Sequence, residues 1–191
     1  MGAHIYLSRD KKKIVVAYEG TNFSSWRDWV FGNFNIYWKG QYSEALKLAK
    51  NVASMYPDAQ LITTGHSLGG GLAIHVALHI NGVTAYAFNS SPRVFAPRKL
   101  ENPDSRLVLA NENDEILSEI RKKWSTLKNY KQFDEYDFLN SDKPTEHSIY
   151  YIGRGLVNVA ASTGEKEYVD IAKTVITDSS GTLRSPEKCP V

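Results

Sequence analysis

The stretch Gln60-Leu61-Ile62-Thr63-Thr64-Gly65-His66-Ser67-Leu68-Gly69-Gly70-Gly71-Leu72-Ala73-Ile74-His75-Val76-Ala77-Leu78 decides how this chain is read. Its first five residues follow a strand pattern and those from Leu72 onward a helical one. Gly65 to Gly69 is therefore a strand-to-helix turn with the spacing G-x-S-x-G. Such a turn forces its central residue into a strained backbone conformation and needs neighbours without side chains on either side, a demand that Gly65 and Gly69 meet. It lifts Ser67 Oγ above the sheet edge and aims the N–H groups of the following helix at the space beside it. That is the setting of a nucleophile. A Gly-rich helix start with a capping serine is the competing reading; Gly70, Gly71 and Ala73 argue against it, because they suit a helix packed closely on a sheet.

With 191 residues, 42% of them hydrophobic, the chain is long enough for one domain with a substantial core. Residues 1–191 are read as a single domain, with the Ser/Gly/Pro-rich segment 178–191 as a flexible tail. The formal charge of +2 is near balance and no basic run is interleaved with aromatics, which excludes a nucleic-acid binder. The single cysteine, Cys189, excludes an intramolecular disulfide. No stretch reaches the length of a membrane span and no apolar run marks a secretory signal. Met1-Gly2 lacks the Ser or Thr at position 6 that myristoylation wants. The expectation is a soluble chain, either cytoplasmic or exported by a non-classical route, or a domain of a longer polypeptide.

His4-Ile5-Tyr6-Leu7 and Lys13-Ile14-Val15-Val16-Ala17-Tyr18 read as a hairpin around a solvated, lysine-rich turn. The second strand ends in Glu19-Gly20-Thr21, followed by an aromatic stretch from Phe23 to Trp38. Trp26, Trp29, Val30 and Phe31 fall near helical spacing, but Gly32 and the asparagines break the pattern, so a mobile lid with an apolar underside is expected rather than a core helix. Gln41 to Tyr56 is an amphipathic helix stopped by Pro57. Val83 to Asn89 and Arg106 to Ala110 are further strands. Strands alternating with helices predict a mostly parallel sheet with its functional groups at the carboxyl ends of the strands. Glu119 to Phe138, charged and aromatic, reads as a solvated helix face. Leu156 to Ala161 and Glu165 to Ile176 read as helical.

A serine nucleophile needs a base, usually histidine, held in the correct tautomer by a carboxylate. Of the five histidines, His4 lies within a strand and His66 should point away from Ser67 Oγ. His75 and His79 have a spacing that could hold zinc, but the glutamate of H-E-x-x-H and a third ligand are missing, so no metal and no cofactor are expected. His147 remains, in a late loop downstream of every strand read. Acidic residues between 67 and 147 include Asp104, Glu112, Asp114, Glu115, Asp134, Glu135, Asp137 and Asp142. Asp114 is preferred because it closely follows a buried strand and precedes the anchoring pair Ile116-Leu117, with Asp137 in reserve.

Together, Ile14 to Ala17 running into Glu19-Gly20-Thr21, Trp26-Arg27-Asp28-Trp29, Gly65-His66-Ser67-Leu68-Gly69-Gly70, Phe88-Asn89-Ser90-Ser91-Pro92-Arg93-Val94, Asn113-Asp114-Glu115-Ile116 and His147-Ser148 resemble the class 3 lipases, fungal-lipase-like α/β hydrolases. Glu19 stands where that family often has Arg. The resemblance implies an α/β-hydrolase-like fold, with a mostly parallel central sheet and helices on both faces. It further implies an oxyanion hole from Thr21 and the backbone N–H of Leu68, and a lid formed by the helix after the Gly-Thr pair. The expected activity is hydrolysis of lipid carboxylic esters, by a glyceride lipase or a phospholipase A, through Ser67, Asp114 and His147 at a membrane or lipid–water interface. Two other readings use the same residues: a lipid- or partner-binding module on a hydrolase fold, and an acyltransferase.

Overall fold

The computed structural model of the chain describes residues 1–20, 35–91, 104–111, 132–137, 153, 156–157 and 160–175. Its sheet is built from β1 (Ala3–Leu7), β2 (Lys13–Tyr18), β3 (Gln60–His66), β4 (Thr84–Phe88), β5 (Arg106–Asn111) and β6 (Phe133–Asp137), in that spatial order. The hairpin partner β1 runs antiparallel to β2, and every later pair is parallel. The mostly parallel α/β architecture expected from the sequence is therefore present.

The hairpin forms around a polar turn. Ser8 Oγ and Lys12 N–H both donate to Asp10 Oδ1, at 2.6 and 3.1 Å, and Lys11 takes a left-handed φ of 58°. These exposed bonds hold the Asp10 carboxyl below the usual carboxylate range, Ser8 contributing most. The lysine run is thus a solvated turn.

Helix α1 (Asn35–Met55) connects β2 to β3, and α2 (Leu68–His79) connects β3 to β4. Because consecutive strands are laid down in one direction without reversal, right-handed crossovers place both connecting helices on the same face. Side chains agree. Ile14, Val16, Leu61, Thr63, Ala85, Ala87, Leu107 and Leu109 alternate along their strands into one buried layer beneath α2. Thr63 Oγ1 donates to Ala73 O at 3.0 Å, so the layer's buried hydroxyl is satisfied by the helix it touches. From Leu68 to Leu78 every residue of α2 is buried. The helical layer expected on the opposite face is not established by the described residues. No described helix is long and apolar enough to cross a membrane.

Two boundaries differ from the sequence reading. The helix read from Gln41 begins at Asn35, so the last part of the aromatic stretch belongs to α1 rather than to a separate irregular segment. Within the segment read as a solvated helix face, Phe133–Asp137 is a strand. Three acids in five residues argue against a strand by intrinsic preference, but parallel pairing to β5 overrides that preference. Charge at the sheet's edge also discourages further pairing. Arg106 reaches across from β5, donating from Nε and a guanidinium NH2 to Asp134 Oδ2 at 2.9 and 2.7 Å. A later helix matches its sequence pattern: α3 (Lys166–Val175) lies within the helical stretch expected from Glu165.

The packing of α1 on the sheet passes through Tyr18, whose phenol donates to Ala45 O at 3.0 Å and is 3% exposed as a residue. Burial pushes the phenol well above its ordinary range, which favours the protonated form that donates this bond. Tyr18→Phe removes one such bond with little change in volume. The expected loss is about 1 kcal/mol, read as a lower denaturant midpoint at unchanged m value.

Candidate active site

Parallel strands bring their carboxyl ends together, and register fixes who meets whom there. Tyr18 lies opposite Gly65, and His66 opposite Phe88, which in turn faces Ala110. Two residues beyond Tyr18 and one beyond Phe88, Gly20 and Asn89 flank Ser67. A Cβ added at Gly20 would lie 3.7 Å from Ser67 Cβ, so the residue before Thr21 abuts the candidate nucleophile directly.

Ser67 occupies the turn between β3 and α2 with φ 57° and ψ −120°. A non-glycine residue there is strained, and the surroundings hold it in place. Its N–H donates to Phe88 O at 3.0 Å. Its carbonyl accepts from Gly71 N–H at 3.2 Å, opening the helix, and from Ser91 N–H at 2.8 Å. Its hydroxyl makes no capping hydrogen bond to the helix. A serine placed at a helix N-terminus for capping would use Oγ to bind an N–H of the first turn, so the capping reading fails on this geometry.

The two glycines of the turn are required by close approach. A Cβ at Gly65 would sit 2.3 Å from Gly69 C, and one at Gly69 would sit 2.2 Å from Tyr18 O. Contacts that short do not occur, so β2, β3 and the first turn of α2 reach this separation only with hydrogen at both positions. Leu68 is buried at the first helical position, ahead of the first intrahelical bond, where backbone N–H groups have no helical acceptor. Its N–H therefore stands at the positive end of the helix beside the serine.

The remaining sequence-predicted residues divide into two groups. Thr21, Trp26, Trp29, Val30, Phe31, Asp114 and His147 lie outside the described residues. Four of the five histidines are described. His4 sits in the edge strand, two strands from Ser67, with Nε2 2.9 Å from Glu19 Oε1; both side chains are more than half exposed, so the pair contributes little to stability. His66 ends β3, and strand alternation turns it to the face opposite α2. His75 is buried edge-to-face against Tyr42, with ring centroids 5.1 Å apart, and its ring lies 4.1 Å from that of His79 at a tilt of 45°. His79 Nδ1 is 2.7 Å from His75 O. At 1.5 Å per residue, His75 lies about 12 Å along the helix from Ser67. These two are packing residues between helices; among the described residues no group of three His, Cys, Asp or Glu could hold a metal.

The reserve carboxylate Asp137 ends β6, opposite Asn111 of β5, which puts its backbone on the same sheet edge as the turn. What sequence reasoning missed is the bracing of Ser67 by Phe88 and Ser91. The positive φ of 40° at Asn89 that shapes this loop leaves only a weak sequence signal, since asparagine tolerates that conformation better than most residues.

Comparison with known proteins points to lipid-cleaving enzymes. Residues 1–108 match the model of a phospholipase-like family, the Tle-like phospholipase domain, a span that takes in Thr21, the aromatic stretch, Ser67 and Leu68. The chain is 42% identical over 82 residues to the extracellular phospholipase A1 of Serratia liquefaciens, covering 42% of this chain and 24% of that protein. It is 40% identical over 62 residues to a putative lipase ATG15 of Candida glabrata, covering 32% of this chain and 12% of that protein. The chain thus spans about a quarter or less of the length of these relatives. No solved structure matches it. The lipase resemblance seen in the motifs holds at the level of a phospholipase-like family rather than of the class 3 lipases specifically. Because the family match takes in more than half of the chain, this protein belongs to the Tle-like phospholipase domain family.

Proposed function

We propose that the chain is a serine hydrolase of α/β-hydrolase type that cleaves carboxylic esters of phospholipids. The observation that carries this reading is Ser67, strained at φ 57° and ψ −120°, directly ahead of a buried helix N-terminus that its hydroxyl does not cap. In the proposed reaction Ser67 Oγ attacks the ester carbonyl carbon and gives its proton to His147, which Asp114 orients. Leu68 N–H and Thr21 hold the oxyanion. His147 passes the proton to the departing alcohol, and water releases the acyl group as a free fatty acid while Ser67 regains its proton. Assigning the base to His147 is supported by elimination, because His4, His75 and His79 are engaged elsewhere and His66 is turned to the sheet face opposite α2. Trp26, Trp29, Val30 and Phe31 form the lid over this site.

Phospholipid is preferred to neutral glyceride because both the family description and the Serratia relative's name specify phospholipase activity. The test is labelling by a fluorophosphonate, followed by peptide mapping and analysis of products from phospholipids carrying different acyl chains at the two glycerol positions. The expected result is label on Ser67 and release of one fatty acid per phospholipid, faster from vesicles than from the same lipid as monomer. Label on another residue overturns the nucleophile assignment. Acyl transfer to an added alcohol in preference to water would make the protein an acyltransferase instead.

A further inference from the structure

The end of the β3–β4 ladder contains one residue too many. In a regular parallel pair, a residue donates to one partner and accepts from the residue two positions further along that strand. Ser67 donates to Phe88 O at 3.0 Å, so its carbonyl should accept from Ser90 N–H. It accepts from Ser91 N–H instead, at 2.8 Å. The extra residue is accommodated at Asn89, whose N–H remains anchored on β5 through Ala110 O at 2.9 Å while its φ of 40° turns the chain. The result is a bulge beside the candidate nucleophile, a device that re-aims a strand's end. Ser90 then lies over the first turn of α2, where a Cβ at Gly70 would approach Ser90 Cβ to 2.7 Å. Asn89, Ser90 and Ser91 are all at most 2% exposed, so the loop has no room to relax.

We infer that Asn89 is a positioning residue for Ser67: its left-handed backbone creates the bulge that delivers Ser91 N–H to the Ser67 carbonyl and holds the strained serine in its attacking orientation. This rests on the reading of Ser67 as the nucleophile. Asparagine suits the position because it enters the left-handed region at lower cost than other residues with a Cβ, and only glycine enters it more readily. A β-branched residue is excluded from it.

The experiment compares Asn89→Val, Asn89→Ala and Asn89→Gly with the unsubstituted chain. The readouts are kcat and KM on phospholipid vesicles, the fluorophosphonate labelling rate per folded molecule, and thermal unfolding. Asn89→Val is expected to lower kcat and the labelling rate at least tenfold with KM nearly unchanged, Asn89→Ala to do so to a smaller extent, and Asn89→Gly to restore both to within about threefold. Asn89→Ala and Asn89→Gly decide the matter if the valine variant does not fold. Folded variants that label as fast as the unsubstituted protein, or a glycine variant as impaired as the alanine one, overturn the inference. Absence of label on Ser67 in the unsubstituted chain overturns the nucleophile reading instead, so the two failures are distinct.

Discussion

Ser67→Ala should abolish ester turnover while leaving the fold intact, with kcat reduced by about a million-fold, the scale seen when a serine nucleophile is removed from a triad. The fold should survive because the lost hydroxyl caps no helix N–H, and the backbone bonds to Phe88, Gly71 and Ser91 do not involve the side chain. A change in stability below about 0.5 kcal/mol is expected for Ala. Ser67→Gly should be equally inactive yet behave differently on unfolding. A non-glycine residue in a sparsely populated region costs of the order of 1–3 kcal/mol, and glycine relieves that cost while adding about 0.5–1 kcal/mol of unfolded-state entropy to be lost. The net expectation is a gain of about 1 kcal/mol. Calorimetry alongside a phospholipid assay checks both statements. Retained activity in either variant removes Ser67 from the mechanism. A glycine variant less stable than the alanine one shows that this backbone stores no strain.

Much of this arrangement is legible in the sequence because the governing constraints are local. The G-x-S-x-G spacing between a β-branched run and a small-residue helix specifies the turn at Ser67, and the hairpin around Asp10 follows from its charged, polar connection. The placement of three histidines is local as well: strand alternation suffices for His66, and helical spacing pairs His75 with His79. The strand Phe133–Asp137 was illegible because its sequence carries the wrong intrinsic preference. Only pairing with a neighbouring strand more than twenty residues earlier makes it a strand. The start of α1 was hidden for a related reason, since aromatic residues serve a buried helix and an apolar lid equally well in a periodicity argument. The bulge at Asn89 depends on which residue of β4's end meets Ser67, a matter of register that no single segment encodes.

Gly69→Ala should be strongly damaging for a single-methyl addition near the site, and the competing effects can be weighed. Glycine in a helix interior is worse than alanine by about 1 kcal/mol, so propensity alone predicts stabilisation. Against this, the new Cβ would stand 2.2 Å from Tyr18 O and 2.9 Å from Tyr18 C, atoms of the β2 backbone that cannot rotate away as a flexible side chain would. Moving them means prising α2 from a strand whose Val16 and Tyr18 side chains are buried in the core. Overpacking of this kind costs typically 1–3 kcal/mol and occasionally more, so once the propensity gain of about 1 kcal/mol is subtracted a net loss of about 2 kcal/mol is expected. Because Gly20 follows the displaced segment and abuts Ser67, kcat should fall as well, beyond what the unfolded fraction explains. Gly40→Ala supplies the opposite sign from the same chemistry: Gly40 is exposed within α1 with nothing within 4 Å of an added Cβ, so propensity acts unopposed and stability should rise by about 1 kcal/mol. Denaturant unfolding of the two variants side by side separates close approach from propensity, and a Gly69→Ala chain as stable as its parent would mean that β2 and α2 do not meet at this distance.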